Sequence, residues 1–323
     1  MAAKSNAEPD PIDSSRHGVS IQRICYAGFL MDMQVIIFIQ AMVNGIMIGG
    51  VYALIAVGLS LIFGVMNVVN FAHGEFVMLG MFVTYIVHLL LGFDPNLCIV
   101  LTIPITFGLG VLIQRTLIAR VVGMPDESQI LLTLGISVLL INLTLLIMGA
   151  DPHSIKTPYK FSSIQIGPIL IMLPRFIAFC VAMVASVMLW LFLSRTEIGR
   201  GLRAVAEKPE VAILMGIDPK KMHWLAFGIG IALAGVAGSV MTPFRYIYAS
   251  VGQSYVLLAF VIVVLGGMGN IPGAVLGALV IGVTESLTAQ YVALDLSMLG
   301  PFIIFVLVLV FKPTGILGKG KAY

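Results

Sequence analysis

The sequence predicts an all-α protein, built as a polytopic bundle of transmembrane helices. Of its 323 residues, 59% are hydrophobic and only 10% are charged, and the mean hydropathy is +1.08. A soluble domain carries about 25% charged residues, so a soluble fold of this size could not cover its own core. The apolar runs are long and continuous rather than short and alternating, which favours helices over a β-barrel.

The individual spans follow from the uncharged stretches between charged residues. The stretch from Asp32 to Glu75 has room for one tilted helix and an irregular piece, or for two short crossings. The run Tyr246–Thr284 is long enough for two crossings, separated near Gly266–Pro272. The other uncharged runs are Phe76–Phe93, Pro95–Gln114, Ser128–Ala150, Phe176–Ser194, Met222–Phe244 and Leu296–Phe311. We therefore predict about nine spans, within a range of about eight to ten, in a transmembrane domain over residues 33–315.

Both ends of the chain differ from this apolar domain. Residues 1–32 are polar and predict a flexible tail, and residues 316–323 predict a short tail. Lysine and arginine collect in cytoplasmic loops, so the basic segment 195–222 and the C-terminal tail should face the cytoplasm. The segment Asp151–Phe161 should then face outside. Nine spans place the N-terminus outside, and ten place it inside.

The basic segment 195–222 predicts two short helices at the membrane surface. Helix formers fill Ile198–Ala206, Pro209 suits the first turn of a second helix, and Gly216 suits its end. The small residues Ala204, Ala206, Ala212 and Gly216 would let the backbone of a partner approach closely. An ordinary amphipathic loop at a charged interface is the alternative interpretation.

A dense polar cluster follows the first span. It comprises Gly64, Asn67, Asn70, His73, Gly74 and Glu75. Inside a span, His73 and Glu75 would be costly and therefore functional, whereas at the interface they would form a polar turn. The accompanying asparagines favour an irregular stretch that lines a cavity. Upstream, Gly45 and Gly49 form a GxxxG pair that predicts close helix packing.

A later segment, Val261–Gly282, repeats this pattern of an apolar run interrupted by glycine and asparagine. Paired interruptions in the two halves of a transporter indicate its pathway, which makes Gly269 and Asn270 candidates. Gly269 and Gly273 also form a GxxxG pair, so packing alone would explain the glycines. Glu285 is either a hydrogen-bonded carboxylate, or a residue that lines the pathway or contacts a second subunit.

Two of these segments resemble one family. Thr196, Gly199, Arg203, Ala204, Ala212 and Gly216 are similar to the coupling segment of permeases in ATP-binding-cassette importers, specifically those for branched-chain amino acids. The run Asn-Phe-Ala-His-Gly-Glu at residues 70–75 is similar to the same family. The resemblance extends from about Gln40 to Gly315.

The resemblance implies a membrane subunit that moves leucine, isoleucine and valine by alternating access. It implies separate ATPase subunits docked on segment 195–222, a second and usually non-identical permease subunit, and an extracytoplasmic substrate-binding protein. It places the chain in a bacterial inner membrane. Permeases of the family for urea, short amides or other amino acids are the alternative. The predicted pathway residues are Asn67, Asn70, His73, Glu75, Gly269 and Asn270.

Several function classes lack a sequence signature. The chain has no G-x-x-x-x-G-K-[ST] phosphate loop, no H-E-x-x-H and no G-x-S-x-G element, so we expect no enzyme activity of its own. Its three cysteines form no CxxC pair, and no basic face suggests nucleic acid, so no metal site, cofactor or nucleic-acid partner is expected. An ATP-independent channel or carrier remains, with His73, Glu75 and Glu285 as ion sites. Such a carrier has no need for segment 195–222.

Overall fold

A computed structural model describes the backbone of residues 13–312 and 314–318, and the side chains of residues 33–312 and 314–318. Residues 1–12 of the predicted N-terminal tail, and the C-terminal tail from residue 319, therefore lie outside the described residues, while the backbone of residues 13–32 is part of the first helix. The helices are α1 Asp13–Met66, α2 His73–Leu91, α3 Pro95–Thr116, α4 Asp126–Met148, α5 Leu173–Arg195, α6 Glu197–Glu207, α7 Pro209–Leu214, α8 Pro219–Met241, α9 Val251–Gly266, α10 Ile271–Tyr291 and α11 Leu299–Phe311.

Seven of these helices are long and apolar enough to cross a membrane, counting Met33–Met66 of α1 together with α2, α3, α4, α5, α8 and α10. The apolar helices α9 and α11 are shorter, with 16 and 13 residues. The seven candidate spans make this a multi-pass membrane protein, and with the two shorter apolar helices they roughly fit the predicted count of about nine. The stretch after Asp32 forms one helix to Met66 and then an irregular piece, which is the first of the two predicted arrangements. The run Tyr246–Thr284 is divided at residues 267–270, as predicted.

The bundle has two ends, which we call the hairpin end and the α6–α7 end. At the hairpin end, His153 and Ile247 exchange backbone hydrogen bonds of 2.8 and 2.9 Å between two loops. Also at this end, Tyr159 donates a hydrogen bond of 2.9 Å to Asp94. Burial raises the pKa of Tyr159 above its ordinary value, and the neighbouring Asp94 raises it further, so the hydroxyl stays protonated and remains a donor.

A short β-hairpin at this end was absent from the all-α prediction. Strands β1 (Ser163–Ile166) and β2 (Ile169–Met172) pair antiparallel, with Ser163 opposite Met172. The turn contains Gly167 at φ +59°, a conformation that glycine adopts without strain. Isoleucines at alternate positions favour extended backbone here. The hairpin joins α1 through the Gln40 side chain, which donates to the Leu170 carbonyl at 2.7 Å and accepts from its N–H at 2.9 Å.

Helices α1 and α8 form the buried centre, and α3, α4 and α5 leave most of their surface exposed. The predicted GxxxG pair brings α1 against α10. A Cβ on Gly45 would lie 2.5 Å from the Val283 Cα, and one on Gly49 would lie 2.9 Å from the Ala278 carbonyl oxygen. Such close backbone contact needs small residues, because a larger side chain would push the helices apart. The prediction of close packing at this pair is confirmed.

Candidate functional site

Segment 195–222 forms two short helices, α6 and α7, between two spans. The Thr196 hydroxyl caps α6, because it accepts a hydrogen bond of 3.0 Å from the Gly199 N–H and donates one of 2.7 Å to the Phe192 carbonyl. Pro209 occupies the first turn of α7, and Gly216 follows its end at φ +79°. Both the two helices and their boundaries agree with the sequence prediction.

The predicted coupling residues divide into two groups by burial. Arg203 and Gly216 are exposed, and Ala204 is half-buried. Gly199 and Ala212 are buried, and a Cβ on Gly199 would lie 2.5 Å from the Leu193 Cα of α5. Gly199 and Ala212 therefore fix the position of α6 and α7 on the bundle, while Arg203 and Gly216 face outward.

Exposed apolar side chains on this segment went unnoticed in the sequence. They are Ile198, Val211, Ile213, Leu214 and Met215, which we call the apolar α7 surface, and Leu214 and Met215 are 85% and 77% exposed. They lie at the surface of the polar α6–α7 end. The sequence signal was available, since Val211, Ile213, Leu214 and Met215 lie in or directly after a helix of only six residues.

A cavity of about 690 Å³ lies at the α6–α7 end. Its lining brings together Arg203 of α6, Ser60 and Gly64 of α1, and the predicted pathway residues Gly269 and Asn270. The two interrupted segments of the sequence thus meet at one cavity, and α6 supplies part of its wall.

Asn270 holds two chain segments beside this cavity. Its Oδ1 accepts from the Gly273 N–H at 3.1 Å, which caps α10, and its Nδ2 donates to the Leu317 carbonyl at 2.7 Å. The Ile316 N–H also donates to the Leu265 carbonyl at 2.7 Å. The C-terminal segment is therefore anchored on the break between α9 and α10.

The other predicted pathway residues lie elsewhere. Asn70, His73 and Glu75 are buried, with exposures of 0%, 0% and 1%. The His73 Nε2 is 3.0 Å from the Ile55 carbonyl oxygen, and the Glu75 Oε1 accepts from the Ser137 hydroxyl at 2.7 Å. Asn67 is exposed and has φ +52°, a left-handed conformation that asparagine tolerates at the end of α1.

None of these four residues belongs to the cavity lining described above. The structure brings Gly269 and Asn270 together with Arg203, and it places His73 against α1 and Glu75 against α4. The Asn70 Oδ1 accepts a local hydrogen bond of 3.1 Å from the Ala72 N–H. The assignment of these four residues to the pathway stays a prediction.

A second polar group lies at the hairpin end. It consists of Arg175 of α5, Arg245 after α8 and Glu285 of α10, which we call the Arg–Glu cluster. Each of the three lies within electrostatic range of the other two, and Tyr52 of α1 is beside them. The sequence singled out Glu285 but neither arginine, because each arginine begins or ends an uncharged run and looked like a boundary.

Comparisons with known proteins fit this arrangement. Residues 41–309 match the family described as the permease component of branched-chain amino acid transport systems. The permease protein BraD of a high-affinity branched-chain amino acid transport system from Pseudomonas aeruginosa is 33% identical over 87% of this chain and 96% of its own length. The corresponding protein LivH of Escherichia coli is 32% identical over 90% of this chain and 98% of its own. Escherichia coli LivM is 31% identical over 39% of this chain and 29% of its own. No solved structure matches the chain.

Proposed function

Because the chain belongs to the family of permease components of branched-chain amino acid transport systems, we propose that it carries leucine, isoleucine and valine across a bacterial inner membrane. It acts as one of two permease subunits of an ATP-binding-cassette importer. Its partners are ATPase subunits on the cytoplasmic side, a second and non-identical permease, and a substrate-binding protein outside. The partial similarity to LivM, a permease protein of the same kind of system, supports a second subunit of related sequence.

The observation that carries this proposal is the exposed α6–α7 segment. The apolar α7 surface projects from the end where lysine and arginine collect, and Leu214 is 85% exposed there. A carrier that works alone has no use for such a surface, which would favour association in water. A groove on an ATPase subunit would cover it.

The same segment offers a mechanical link to the substrate path. Arg203 belongs to α6 and also lines the cavity that holds Gly269 and Asn270. If an ATPase subunit moves α6, it moves one wall of the cavity directly, without a long chain of contacts. Alternating access then consists of opening and closing this cavity as the ATPase subunits approach and separate.

Within the proposed path, Gly64, Gly269 and Asn270 lie at the cytoplasmic opening. Broken helices at such a position expose backbone carbonyl and N–H groups to the substrate. Asn67, Asn70, His73 and Glu75 remain proposed pathway residues from the sequence. His73 and Glu75 are buried against α1 and α4 and position α2 in this conformation, whereas Asn67 is exposed.

The ATP-independent carrier is the weaker candidate. It needs ionisable groups that water can reach, whereas His73 and Glu75 are 0% and 1% exposed and engage neighbouring helices. A family permease for urea, short amides or other amino acids shares all features of the α6–α7 end. Substrate competition during uptake separates these substrates.

The test is purification of the tagged protein in mild detergent, with ATPase activity measured on the eluate. We expect a co-purifying ATPase that Arg203→Glu and Gly216→Trp remove without loss of membrane insertion. The matched control is Arg120→Glu, an exposed arginine outside segment 195–222. A single polypeptide that transports leucine into liposomes without ATP would instead establish the carrier.

A further inference from the structure

The Arg–Glu cluster joins four segments at one level of the bundle. Helices α1 and α10 run antiparallel, and the Ser286 hydroxyl donates to the Ala41 carbonyl at 2.8 Å beside the cluster. Side chains lean toward the N-terminus of their helix, so Tyr52 of α1 and Glu285 of α10 lean toward each other. The ring of Phe179, one turn after Arg175, packs on Gly50 of α1 and brings α5 to the same place.

The charges of this cluster are close to each other but not paired. Among the described side chains, the one ion pair is Arg200–Glu197, at 3.5 Å on the surface of α6. The Arg175 Nε and the Glu285 Oε2 are buried and have no hydrogen-bond partner among the described residues. A buried charged group without a partner is costly, so such groups in a membrane span mark a functional site. Arg245 is instead exposed in the loop after α8, so the cluster is open to the surface on that side.

Two tyrosine side chains lie beside the Arg–Glu cluster. Tyr52 and Tyr255 are 2% and 7% exposed, and their ring centroids are 6.4 Å apart. The Tyr52 hydroxyl approaches the Glu285 carboxylate, and Arg245 lies near both tyrosines. The site thus combines two guanidinium groups, one carboxyl group and two tyrosine hydroxyls.

These groups are complementary to a small dipolar molecule. Guanidinium groups bind a carboxylate through two parallel hydrogen bonds, and a carboxylate binds an ammonium group. Because the cluster carries two arginines for one glutamate, it keeps one positive charge in excess for an incoming carboxylate. A zwitterionic α-amino acid satisfies both signs at once, whereas a simple anion or cation leaves one side unpaired.

We propose that Arg175, Arg245 and Glu285 form a binding site for the zwitterionic head group of an α-amino acid, at the hairpin end of the permease. The proposal rests on the proposed function for its choice of substrate. Arg175 and Arg245 bind the carboxylate, Glu285 binds the ammonium group, and Tyr52 orients Glu285. This binding site lies on the outer side of the substrate path, and the cavity with Gly269 and Asn270 lies on the cytoplasmic side.

Selectivity among leucine analogues tests this assignment. The permease complex in nanodiscs is titrated with leucine, with isocaproate, which lacks the ammonium group, and with isopentylamine, which lacks the carboxylate. Binding is followed by saturation-transfer NMR. We expect Glu285→Gln to lower the affinity for leucine at least about tenfold, which corresponds to the loss of one charge-assisted hydrogen bond. Isocaproate should then bind this variant as tightly as leucine does. We expect Arg175→Gln to let isopentylamine compete instead.

The controls separate binding from folding. Glu127→Gln and Arg120→Gln make the same changes at exposed positions of the α6–α7 end and should leave all three affinities unchanged. Arg175→Lys keeps the charge and should recover part of the leucine affinity. If Glu285→Gln and Arg175→Gln weaken all three ligands equally, or dissociate the second permease, the cluster is structural and the proposal is overturned.

The wild-type complex separates this proposal from the proposed function. If the wild-type complex binds leucine with the expected selectivity but purifies without an ATPase, the binding-site proposal stands and the importer function is wrong. If the wild-type complex purifies with an ATPase but binds leucine and the two analogues with equal affinity, the importer function stands and the binding-site proposal is wrong.

Discussion

Gly64 of α1 and Gly269, in the break before α10, contact each other at the α6–α7 end. A Cβ on Gly64 would lie 3.1 Å from the Gly269 Cα, and a Cβ on Gly269 would lie 3.2 Å from the Gly64 Cα. Gly269 also has φ +78°, where other residues are strained. The two interrupted segments therefore meet at a point where a side chain would push the two backbones apart.

The first prediction concerns this contact. Gly64→Leu should separate α1 from the break and distort the cavity, at a cost on the order of 1–3 kcal/mol for overpacking. We expect leucine uptake in proteoliposomes to fall at least about tenfold. Gly108→Leu is the matched control, because no heavy atom lies within 4 Å of a Cβ at that position of α3. Equal uptake by both variants would remove this cavity from the substrate path.

The second prediction concerns the cap of α6. Thr196→Ala removes the hydroxyl that accepts from the Gly199 N–H, at a cost of about 1 kcal/mol to the helix. Because α6 both carries the coupling surface and lines the cavity, we expect fewer leucine molecules transported per ATP hydrolysed. Thr196→Ser keeps the hydroxyl and should keep the ratio. A ratio unchanged in the alanine variant would show that the start of α6 carries no coupling.

The sequence allowed the spans and their interruptions to be predicted, because these depend on local features. Charges delimit each apolar run, and the breaks at residues 67–72 and 267–270 follow from asparagine and glycine. Burial of the polar cluster could not be predicted. Whether Glu75 faces a cavity or Ser137 depends on which helix packs against α2, and those residues are 62 positions apart.

The Arg–Glu cluster illustrates the same difficulty. Arg175, Arg245 and Glu285 come from three separate helices or loops, and each arginine alone looks like the edge of a span. The packing of α10 on Gly45 and Gly49 of α1, and of the Phe179 ring of α5 on Gly50, brings Glu285 and Arg175 to the same side of α1. The β-hairpin was missed for another reason, since its strands of four residues lie next to a long apolar helix.

The third prediction concerns the apolar α7 surface. Leu214→Gln makes an 85% exposed side chain polar, so the permease itself should insert and remain as stable as wild type. Loss of apolar contact should weaken binding of the ATPase subunits by about 1.5–3 kcal/mol, the free energy of burying one leucine side chain. Co-purification of ATPase activity measures this directly. Leu170→Gln changes an exposed leucine of the hairpin and should leave the ATPase bound. Retention of the ATPase by Leu214→Gln would place its docking surface elsewhere.

The fourth prediction concerns Asn270. Asn270→Asp keeps an oxygen that accepts from the Gly273 N–H, and a negative charge is favourable at the start of α10. It removes the Nδ2 donor that holds the Leu317 carbonyl. We therefore expect normal insertion but release of the C-terminal segment, measured as faster labelling of Leu317→Cys by a thiol reagent. Labelling at the wild-type rate would mean that the Ile316–Leu265 backbone contact holds the segment by itself.

The fifth prediction separates a positioning role for Glu75 from ion transport. Its Oε1 accepts from the Ser137 hydroxyl, and the side chain is 1% exposed. Glu75→Gln keeps an oxygen that can accept this hydrogen bond and should leave leucine uptake within about twofold of wild type. Glu75→Leu leaves the Ser137 hydroxyl without its acceptor and should cost about 1–3 kcal/mol of stability, seen as a lower melting temperature of the complex.

If the protein were an ion-coupled carrier, Glu75→Gln would already abolish leucine uptake. There the ionisable carboxylate itself is required, so Glu75→Gln would abolish uptake while insertion and the melting temperature stayed normal. The glutamine and leucine variants both remove the charge, and only the leucine variant removes the acceptor, so their comparison separates loss of the charge from loss of the polar side chain. Uptake that survives in Glu75→Gln and falls in Glu75→Leu assigns Glu75 to holding α2 against α4.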